Sequence, residues 1–483
     1  MGATRTLTTT VPLAIGGALV PGADGSYPVF NPARPDEVVL EAPAASSDQL
    51  RGAVDAATGA QPAWESLGLD GRLAHLERAC RQAEEALDFE ALAALLTREH
   101  GKVLVESLFD VATTTGMLTA LAPLVAEALA TRTVGTSEVE RVPHGVVAAI
   151  LPFNWPAAVM GNKILPALLA GNTVVVKAPP TCPGAVLGLA GALAERLPPG
   201  VLNALNGPDR ELGAALVAHP GVDMVSFTGG VTAGRSVLAA CAPLLRPAVL
   251  ELGGNDPAIV APDVEPSEDL ARRLLDAAFT TSGQVCMAVK RLYLPARRLA
   301  AWRDALVAVL SACVVGDGLE PEVTMGPVHT EGARDRAEAM VAEAAVGALE
   351  VVRPATTAHP GWGWVVPPAL VVAPDPASAL VRQEQFAPVL PLLPYGDLDQ
   401  AVASANDTAF GLCASVWSHD LELADSVGRR LSAGTVWTNA HGMGAMDHLA
   451  PMGGWGESGL GLELGVEGMA AFTRPRVHRR GAL

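Results

Sequence analysis

Apolar positions in the first part of the chain recur at the three- and four-residue spacing of helices. Ser46 followed by Gln49 has the pattern of a capping box, so a helix is predicted to begin there. A longer helical pattern ends at Gly101, a residue type that commonly terminates helices. Residues 106–129 are again helical in pattern, whereas residues 131–142 alternate in the manner of an extended segment.

The pattern changes at residue 146, where short apolar runs begin to alternate with helical stretches. Strands that are apolar throughout and separated by helices are typical of a parallel sheet covered on both faces. The predicted strands are 146–151, 173–176, 201–205, 224–227 and 249–252, and the predicted helices are 158–169, 184–197, 210–219 and 231–244. This is a doubly wound nucleotide-binding pattern.

A second α/β unit is predicted after residue 252, because the alternation of strands and helices begins again there. Its predicted strands are 258–260, 291–294, 369–372 and 390–393. With 483 residues, 50% of them hydrophobic and 17% charged, the chain is long and apolar enough for two or three folded units.

Net charge and cysteine usage restrict the partners and the compartment. The charge of −18 repels phosphate, which argues against nucleic acid and anionic membrane as partners. No apolar run reaches membrane-spanning length without interruption, and no signal-peptide pattern is present. Six widely spaced cysteines predict neither a zinc site nor a disulfide framework: Cys80, Cys182, Cys241, Cys286, Cys313 and Cys413. We therefore expect a cytoplasmic protein without a metal site.

Three motifs carry candidate chemistry. FTTSGQVCM places Cys286 just after a Ser-Gly turn, where a thiol can be exposed in a cleft. LELGGN supplies Glu251, a carboxylate among apolar residues, and PFNWP supplies Asn154 between two aromatic residues. A thiol, a carboxylate and an amide are the nucleophile, base and oxyanion donor of a covalent acyl intermediate. A lone cysteine is more often a core residue, so this interpretation depends on the three motifs together.

Two glycine clusters compete as the cofactor turn. Gly454, Gly456 and Gly459 match G-x-G-x-x-G, but no strand precedes them and no helix follows in the required way. FTGGVTAG is the better candidate, because Gly229 and Gly230 follow an apolar strand and open a predicted helix. An ordinary tight turn between strand and helix is an equally valid interpretation of that motif alone.

Taken together, the motifs resemble those of the aldehyde dehydrogenase superfamily. From about Pro28 onwards the family's order and spacing are matched by PFNWP, VVVKAPP, SFTGG, LELGG, GQVC, QEQFAPVLP, NDTAFGL, GTVWTN and PMGGWGESG. The resemblance implies oxidation of an aldehyde to a carboxylic acid through a cysteine thioester, with NAD or NADP as the cofactor.

The resemblance also implies an α/β fold of two Rossmann-like doubly wound domains with a small β oligomerisation extension. The implied dinucleotide-binding domain comprises residues 1–117 and 145–253, and the implied catalytic domain comprises residues 254–471. Residues 118–144 and 472–483 would form the extension, which implies a homodimer or a homotetramer.

The roles of individual residues follow from the same resemblance. Cys286 is implied as the nucleophile, Glu251 as the general base, and Asn154 with the Cys286 backbone N–H as the oxyanion hole. The implied cofactor-binding positions are Lys177, Phe153, Pro180, Arg210, Phe227, Gly229, Gly230, Leu252, Glu384 and Phe386. The implied substrate-pocket positions are Trp155, Val159, Asn162, Val285, Met287 and His441, the last in a loop that continues to His448.

Several positions depart from the family pattern. Pro180 stands where many NAD-preferring members carry a glutamate that repels a 2′-phosphate, and Arg210 could favour that phosphate. Gly230 replaces a frequent serine, Ala387 a usual glycine, and Glu457 a common lysine. The sequence therefore leaves the choice between NAD and NADP open.

The pocket positions favour a medium-sized neutral aldehyde, aliphatic or aromatic, because they hold no arginine for the carboxylate of a semialdehyde. A semialdehyde dehydrogenase, a CoA-acylating enzyme and a non-catalytic cofactor-binding paralogue remain alternatives. CoA-acylating relatives typically lack the general base, so Glu251 counts against that interpretation, and the complete chemical set counts against a non-catalytic one.

Overall fold

The structure, a computed structural model, describes residues 11–354, 357–358 and 363–481. Its first part begins with two hairpins and five helices and continues into a projecting hairpin. In chain order these elements are β1 (Leu13–Ile15), β2 (Ala18–Val20), β3 (Ser26–Asn31), β4 (Arg34–Pro43), α1 (Ser47–Ser66), α2 (Gly68–Ala86), α3 (Phe89–His100), α4 (Leu104–Gly116), α5 (Leu118–Leu129), β5 (Arg132–Val134) and β6 (Ser137–Pro143).

The predicted helix signals of this part are confirmed, with one difference. Ser46 and Gln49 form the capping box of α1, and Gly101 ends α3 with a left-handed φ of 98°. The pattern over residues 106–129 comprises two helices rather than one, because the chain bends at Met117 between α4 and α5.

The predicted parallel sheet is confirmed in the next part of the chain. Its elements are β7 (Val146–Ile150), α6 (Pro156–Leu169), β8 (Thr173–Lys177), α7 (Gly184–Ala194), β9 (Leu202–Leu205), α8 (Glu211–Ala218), β10 (Met224–Thr228), α9 (Val231–Cys241) and β11 (Ala248–Glu251). The sheet has the order β2-β1-β9-β8-β7-β10-β11-β23, and the strands from β9 to β11 pair in parallel. The order reverses at β7, so a crevice opens beyond the carboxyl ends of β7 and β10.

The second α/β unit is also confirmed. Its elements are β12 (Asp256–Val260), α10 (Glu268–Phe279), β13 (Val289–Pro295), α11 (Leu299–Leu310), β14 (Val314–Val315), α12 (Glu331–Ala344), β15 (Glu350–Val352), β16 (Thr357–Ala358), β17 (Ala369–Val372), α13 (Ala379–Arg382), β18 (Val389–Tyr395), α14 (Leu398–Asn406), β19 (Phe410–Gly411), β20 (Cys413–Trp417), α15 (Leu421–Gly428) and β21 (Thr435–Thr438). Its sheet has the order β15-β17-β18-β13-β12-β20-β21. Only residues 252–255 separate β11 from β12, so the carboxyl edge of the first sheet faces the amino edge of the second.

The end of the chain returns to the first unit. It forms β22 (Trp455–Gly456), β23 (Gly459–Leu460), α16 (Gly465–Ala471) and β24 (Thr473–Arg479). Strand β23 pairs antiparallel with β11, and Met469 and Phe472 are buried in the core of the first unit. The expected catalytic domain of 254–471 therefore extends too far, because residues from 459 onwards complete the first core.

The boundary expected at residue 118 for the extension is also too early. Leu118, Leu121 and Val125 of α5 are buried in the first core. Only β5, β6 and β24 project as a separate three-stranded sheet, in the order β24-β6-β5.

Among the described residues no single helix is long and apolar enough to cross a bilayer. Helices α4 and α5 meet that length and composition only as a pair bent by 43°.

Candidate active site

The carboxyl edge of the first sheet supplies the oxyanion donor. Strand β7 leads into residues 151–155, and Pro156 begins α6 at the position where the missing N–H of proline has no cost. Asn154, immediately before this helix, is buried, and its Nδ2 donates a hydrogen bond to the Gln284 carbonyl at 3.0 Å. The amide therefore lies against the segment that carries the candidate nucleophile.

An unusual turn presents that nucleophile. Helix α10 ends at Phe279 and is followed by a 3₁₀ turn in which Thr281 and Ser282 have φ values of 55° and 56°. Left-handed conformations cost non-glycine residues energy and are concentrated at functional sites. The chain leaves this turn with Cys286 partly exposed, as the Ser-Gly motif predicts.

The general-base candidate lies at the end of β11. Glu251 is 7% exposed, and its Oε1 has no hydrogen-bond partner among the described residues. Burial raises the pKa of Glu251 well above its ordinary value, and the nearby Glu463 carboxylate raises it further, whereas Lys163 opposes the shift. The Lys163 amine pairs with Glu463 at 2.5 Å and donates to the Ser226 hydroxyl at 2.9 Å.

The environment of Cys286 stabilises the protonated thiol. Burial raises its pKa to about 12, and the carboxylates of Glu384, Asp256 and Glu251 act in the same direction. A resting thiol of this kind needs a base close to it in order to react.

One cavity of about 90 Å³ brings these groups together. Asn154, Glu251 and Cys286 all line it, as do the predicted pocket residues Trp155, Val159, Asn162, Val285 and Met287. Its other lining residues are Phe109, Thr113, Ala158, Thr228, Met443, Met446, His448, Met452, Glu463 and Leu464. Sequence patterns did not indicate Phe109, Thr113, Thr228, Met452 or Glu463, because they come from elements distant in the chain.

His441, predicted in the substrate pocket, does not line this cavity but lines a neighbouring one that shares Val285, Met287 and Met443 with it. Its imidazole is enclosed, with Nδ1 at 2.8 Å from the Ser415 hydroxyl and Nε2 at 3.6 Å from the Asp256 carboxylate. Ser415 Oγ also accepts a hydrogen bond from Trp417 Nε1 at 2.9 Å. His448, from the same loop, is the histidine that lines the cavity.

The cofactor turn predicted at Gly229 and Gly230 connects β10 to α9. No acidic residue or capping side chain occupies the first turn of α9, so its N–H groups are available to an anion. A Cβ on Gly230 would meet nothing within 4 Å, whereas one on Gly229 would lie 2.6 Å from the Phe227 ring. Leu252 packs against Gly234 behind the turn. The G-x-G-x-x-G match at 454–459 instead forms the β22–β23 turn, outside any strand-turn-helix unit.

Two charged residues near this turn fit a dinucleotide. Lys177 ends β8, and its amine makes no hydrogen bond within the described ranges. Burial lowers its pKa to about 8, and the negative charge of Asp209 opposes that shift. Pro180, beyond Lys177, accepts from the Tyr27 hydroxyl at 2.7 Å, and Arg210 lies exposed before α8. A buried amine and an open helix end, both at the carboxyl edge of the first sheet, match the sugar and phosphate of a nucleotide.

Aromatic rings lie at the other end of the predicted cofactor site. The ring of Phe153 stacks on His329 at 4.4 Å and meets Phe386 edge-on at 5.9 Å. Glu384 accepts a hydrogen bond from the Gly254 N–H at 3.0 Å, and burial raises its pKa to about 7. Glu384 thus lies close to Gly253 and Gly254, which follow Glu251 in the chain.

A nucleotide groove that ends at a reactive thiol with its own base and oxyanion donor defines a dinucleotide-dependent oxidoreductase that uses a cysteine nucleophile. Comparison with known proteins gives the family. The model of the aldehyde dehydrogenase family matches residues 19–477, and the chain belongs to that family.

Known relatives cover almost the whole chain. Geranial dehydrogenase of Castellaniella defragrans is 38% identical over 91% of this chain and 92% of its own. Phenylacetaldehyde dehydrogenase of Pseudomonas fluorescens is 34% identical over 96% of this chain and 94% of its own. Aldehyde dehydrogenase C of Pseudomonas syringae, solved as a mutant with NAD+ and octanal, has a TM-score of 0.90 at 32% identity, covering 99% of this chain and 98% of that chain.

Proposed function

We propose that this protein oxidises a medium-sized neutral aldehyde, aliphatic or aromatic, to the carboxylic acid with NAD or NADP. The observation that carries the proposal is the cavity in which Cys286, Glu251 and Asn154 meet. Membership of the aldehyde dehydrogenase family supports the reaction.

The chain's own residues carry the covalent steps. Glu251 takes the proton of the Cys286 thiol, and the sulfur forms a bond to the carbonyl carbon of the aldehyde. Asn154 Nδ2 and the Cys286 backbone N–H donate hydrogen bonds to the resulting oxyanion. Lys177 and Glu384 would hold the dinucleotide, and its oxidised nicotinamide would supply the hydride acceptor by which the carbon bonded to Cys286 reaches the oxidation level of a thioester. Glu251 passes the thiol proton to solvent and then takes a proton from water. The water oxygen bonds to the thioester carbon, the C–S bond breaks, and the acid is released from the Cys286 thiolate.

The lining of the cavity supports a neutral, apolar substrate. Ten of its eighteen lining residues are aromatic, aliphatic or methionine, and the four methionines, Met287, Met443, Met446 and Met452, supply adaptable thioethers. No lysine or arginine lines it, whereas two carboxylates, Glu251 and Glu463, do. The desolvated carboxylate of a semialdehyde would therefore lie unpaired beside like charges. The names of the relatives, which include geranial and phenylacetaldehyde dehydrogenases, agree with this substrate class.

The test is formation of reduced cofactor by the purified protein, with NAD and NADP in parallel and Cys286→Ala as the control. Butanal and succinic semialdehyde form a matched pair of equal carbon number, and octanal and phenylacetaldehyde extend the series. We expect kcat/KM for butanal to exceed that for succinic semialdehyde by roughly tenfold or more. Preference for the semialdehyde would overturn the substrate class, and turnover that requires CoA would overturn hydrolysis by Glu251.

We also propose a cytoplasmic homodimer or homotetramer. The small sheet β24-β6-β5 supports assembly, because β24 and β5 are edge strands that carry the exposed Val477 and Val134. Such edges are templates for pairing with another chain. Six free thiols agree with a reducing compartment.

A further inference from the structure

Helix α4 carries two carboxylates, Glu106 and Asp110, that take no part in the chemistry described above. They are four residues apart, so they lie on the same face of the helix. Each accepts a hydrogen bond from the backbone of a different part of the active site. Lys102, just before the helix, lies near both carboxylates and its charge lowers the pKa of each, whereas burial raises it.

Asp110 binds the start of the helix that follows the oxyanion donor. Its Oδ1 accepts from the Ala158 N–H at 2.6 Å, in the first turn of α6. The residue before that helix, Trp155, makes no side-chain capping hydrogen bond. Asp110 therefore caps α6 from another helix, which satisfies a donor that would otherwise be unpaired in the interior.

Lys102 fixes the oxyanion donor itself. Its amine donates to Asp110 Oδ2 and to the Asn154 carbonyl, both at 2.7 Å, and lies 4.1 Å from the centre of the Trp155 ring. The side chains of Lys102 and Asp110 are 0% exposed, so no water competes with these contacts. The backbone of Asn154 is thereby held by a buried charged group.

Glu106 binds the turn that presents the nucleophile. Its Oε1 accepts from the Thr281 N–H at 2.7 Å. Thr281, five residues before Cys286, is the first of two successive non-glycine residues of this turn that are held in the left-handed region. A conformation of that cost persists only when surrounding contacts determine it, and Glu106 supplies one of them.

We propose that α4 and Lys102 act as a bracket that sets the position of Asn154 relative to Cys286. Asp110 and Lys102 hold the oxyanion side, which belongs to the first α/β unit, and Glu106 holds the nucleophile turn of the second. Since displacements of about 1 Å reduce turnover greatly, a rigid helix joining both sides is a positioning device. Lys102, Glu106 and Asp110 are thus positioning residues. This role rests on the proposed aldehyde oxidation.

Two measurements on each variant separate the two sides of the bracket. The first is kcat for butanal oxidation, together with the KM values for aldehyde and cofactor. The second is the rate of alkylation of Cys286 by iodoacetamide, a reaction that requires the thiol but forms no oxyanion. Val105→Ala, on the exposed face of the same helix, is the matched control and should change neither.

Lys102→Met removes the bond to Asn154 and leaves Glu106 in place. We expect kcat to fall by roughly tenfold or more, while the alkylation rate and the cofactor KM change by less than about threefold. If Lys102→Met does not accumulate as folded protein, Asp110→Glu replaces it, because this variant keeps the charge but moves the carboxylate. It should likewise lower kcat while the alkylation rate and the cofactor KM change little.

Glu106→Ala should change both readouts, because the Thr281 turn carries the thiol itself. We expect at least about a fivefold change in the alkylation rate along with the loss of kcat. Glu106→Gln keeps an acceptor for the Thr281 N–H, so it should restore most of kcat and most of the wild-type alkylation rate.

If the Lys102 and Glu106 variants changed the alkylation rate, kcat and the cofactor KM to the same extent, the role of these residues would be merely structural. That result would overturn the bracket. An unchanged kcat in both variants would overturn it as well. If the wild-type protein oxidised no aldehyde, the proposed function would fail, whereas the alkylation rates would still test the contact between Glu106 and Thr281.

Discussion

At the scale of single residues, the active site depends on proton affinities that burial has shifted. Cys286 and Glu251 both act in their deprotonated forms, and burial raises the pKa of each. Glu463 adds to the shift of Glu251, and it is in turn paired with Lys163. Burial thus favours the protonated form of both the nucleophile and the base, which line one cavity.

The role of Glu251 after hydride transfer can be isolated. Glu251→Gln keeps the shape but removes the base. The partly exposed Cys286 thiol can still lose its proton slowly to solvent, whereas the hydrolytic water loses its base, so we expect the thioester to form and then to persist. A rapid-mixing experiment should show a burst of reduced cofactor followed by steady turnover lower by roughly 10²–10⁴-fold. Cys286→Ala should abolish the burst. Loss of the burst in Glu251→Gln would assign proton removal from the thiol, rather than hydrolysis, as its indispensable step.

The pH dependence of turnover should report Glu251. Since its pKa is raised, kcat should increase with pH on the acid side of the profile. Glu463→Gln removes the negative charge that raises this pKa and leaves the positive Lys163, so the acid limb should move to lower pH. The measurement is kcat against pH for both proteins, and a shift to higher pH would contradict the electrostatic assignment.

Cofactor choice should respond to two neighbouring charges of opposite sign. Asp209 acts electrostatically on Lys177, and Arg210 follows it in the chain. Asp209 Oδ1 accepts from the Glu211 and Leu212 N–H groups, and an asparagine keeps this acceptor. We expect Asp209→Asn to raise the ratio of kcat/KM for NADP to that for NAD by roughly threefold or more. Arg210→Ala should lower that ratio. If both variants changed this kcat/KM ratio in the same direction, neither charge would face the 2′ position of the cofactor ribose.

At the scale of elements, the first turn of α9 is the feature that makes the nucleotide groove. Gly230 precedes this helix with a φ of −74°, a value that any residue adopts. The missing serine of the family pattern therefore reflects no backbone constraint. Gly229 is different, because a side chain there would collide with Phe227.

Gly230→Ser should consequently improve the site. A serine hydroxyl would cap α9 and donate to the cofactor phosphate, so we expect a lower cofactor KM and a gain of about 0.3 kcal/mol in stability. Gly229→Ala is the contrasting variant and should raise the cofactor KM through its clash. Kinetics and thermal unfolding measure both effects, and a higher KM in Gly230→Ser would contradict the open geometry of this turn.

At the scale of the whole molecule, two sheets meet edge to edge, and the small third sheet projects from them. Strand β24 of that sheet leaves a long exposed edge, with Val477 61% exposed. We expect Val477→Lys to shift the proposed oligomer toward monomer, because a charge on a paired edge opposes association. Light scattering during size-exclusion chromatography measures the mass. A wild-type monomer, or an unchanged oligomer in the variant, would place the interface elsewhere.

The sequence by itself determined the local elements and the chemical groups of this protein. Apolar runs predicted both α/β units, and the capping box at Ser46 predicted the start of α1, because strand and helix periodicity depends on nearby residues. The motifs around Cys286, Glu251 and Asn154 were recognisable for the same reason.

Only the tertiary structure decided which distant groups meet. It enclosed His441 between Ser415 and Asp256, returned β23 to the first sheet, and placed Glu106 against Thr281. These contacts join residues up to hundreds of positions apart, and burial at such contacts also sets the pKa of Cys286 and Glu251. No periodicity encodes them, since packing and desolvation are properties of the assembled interior.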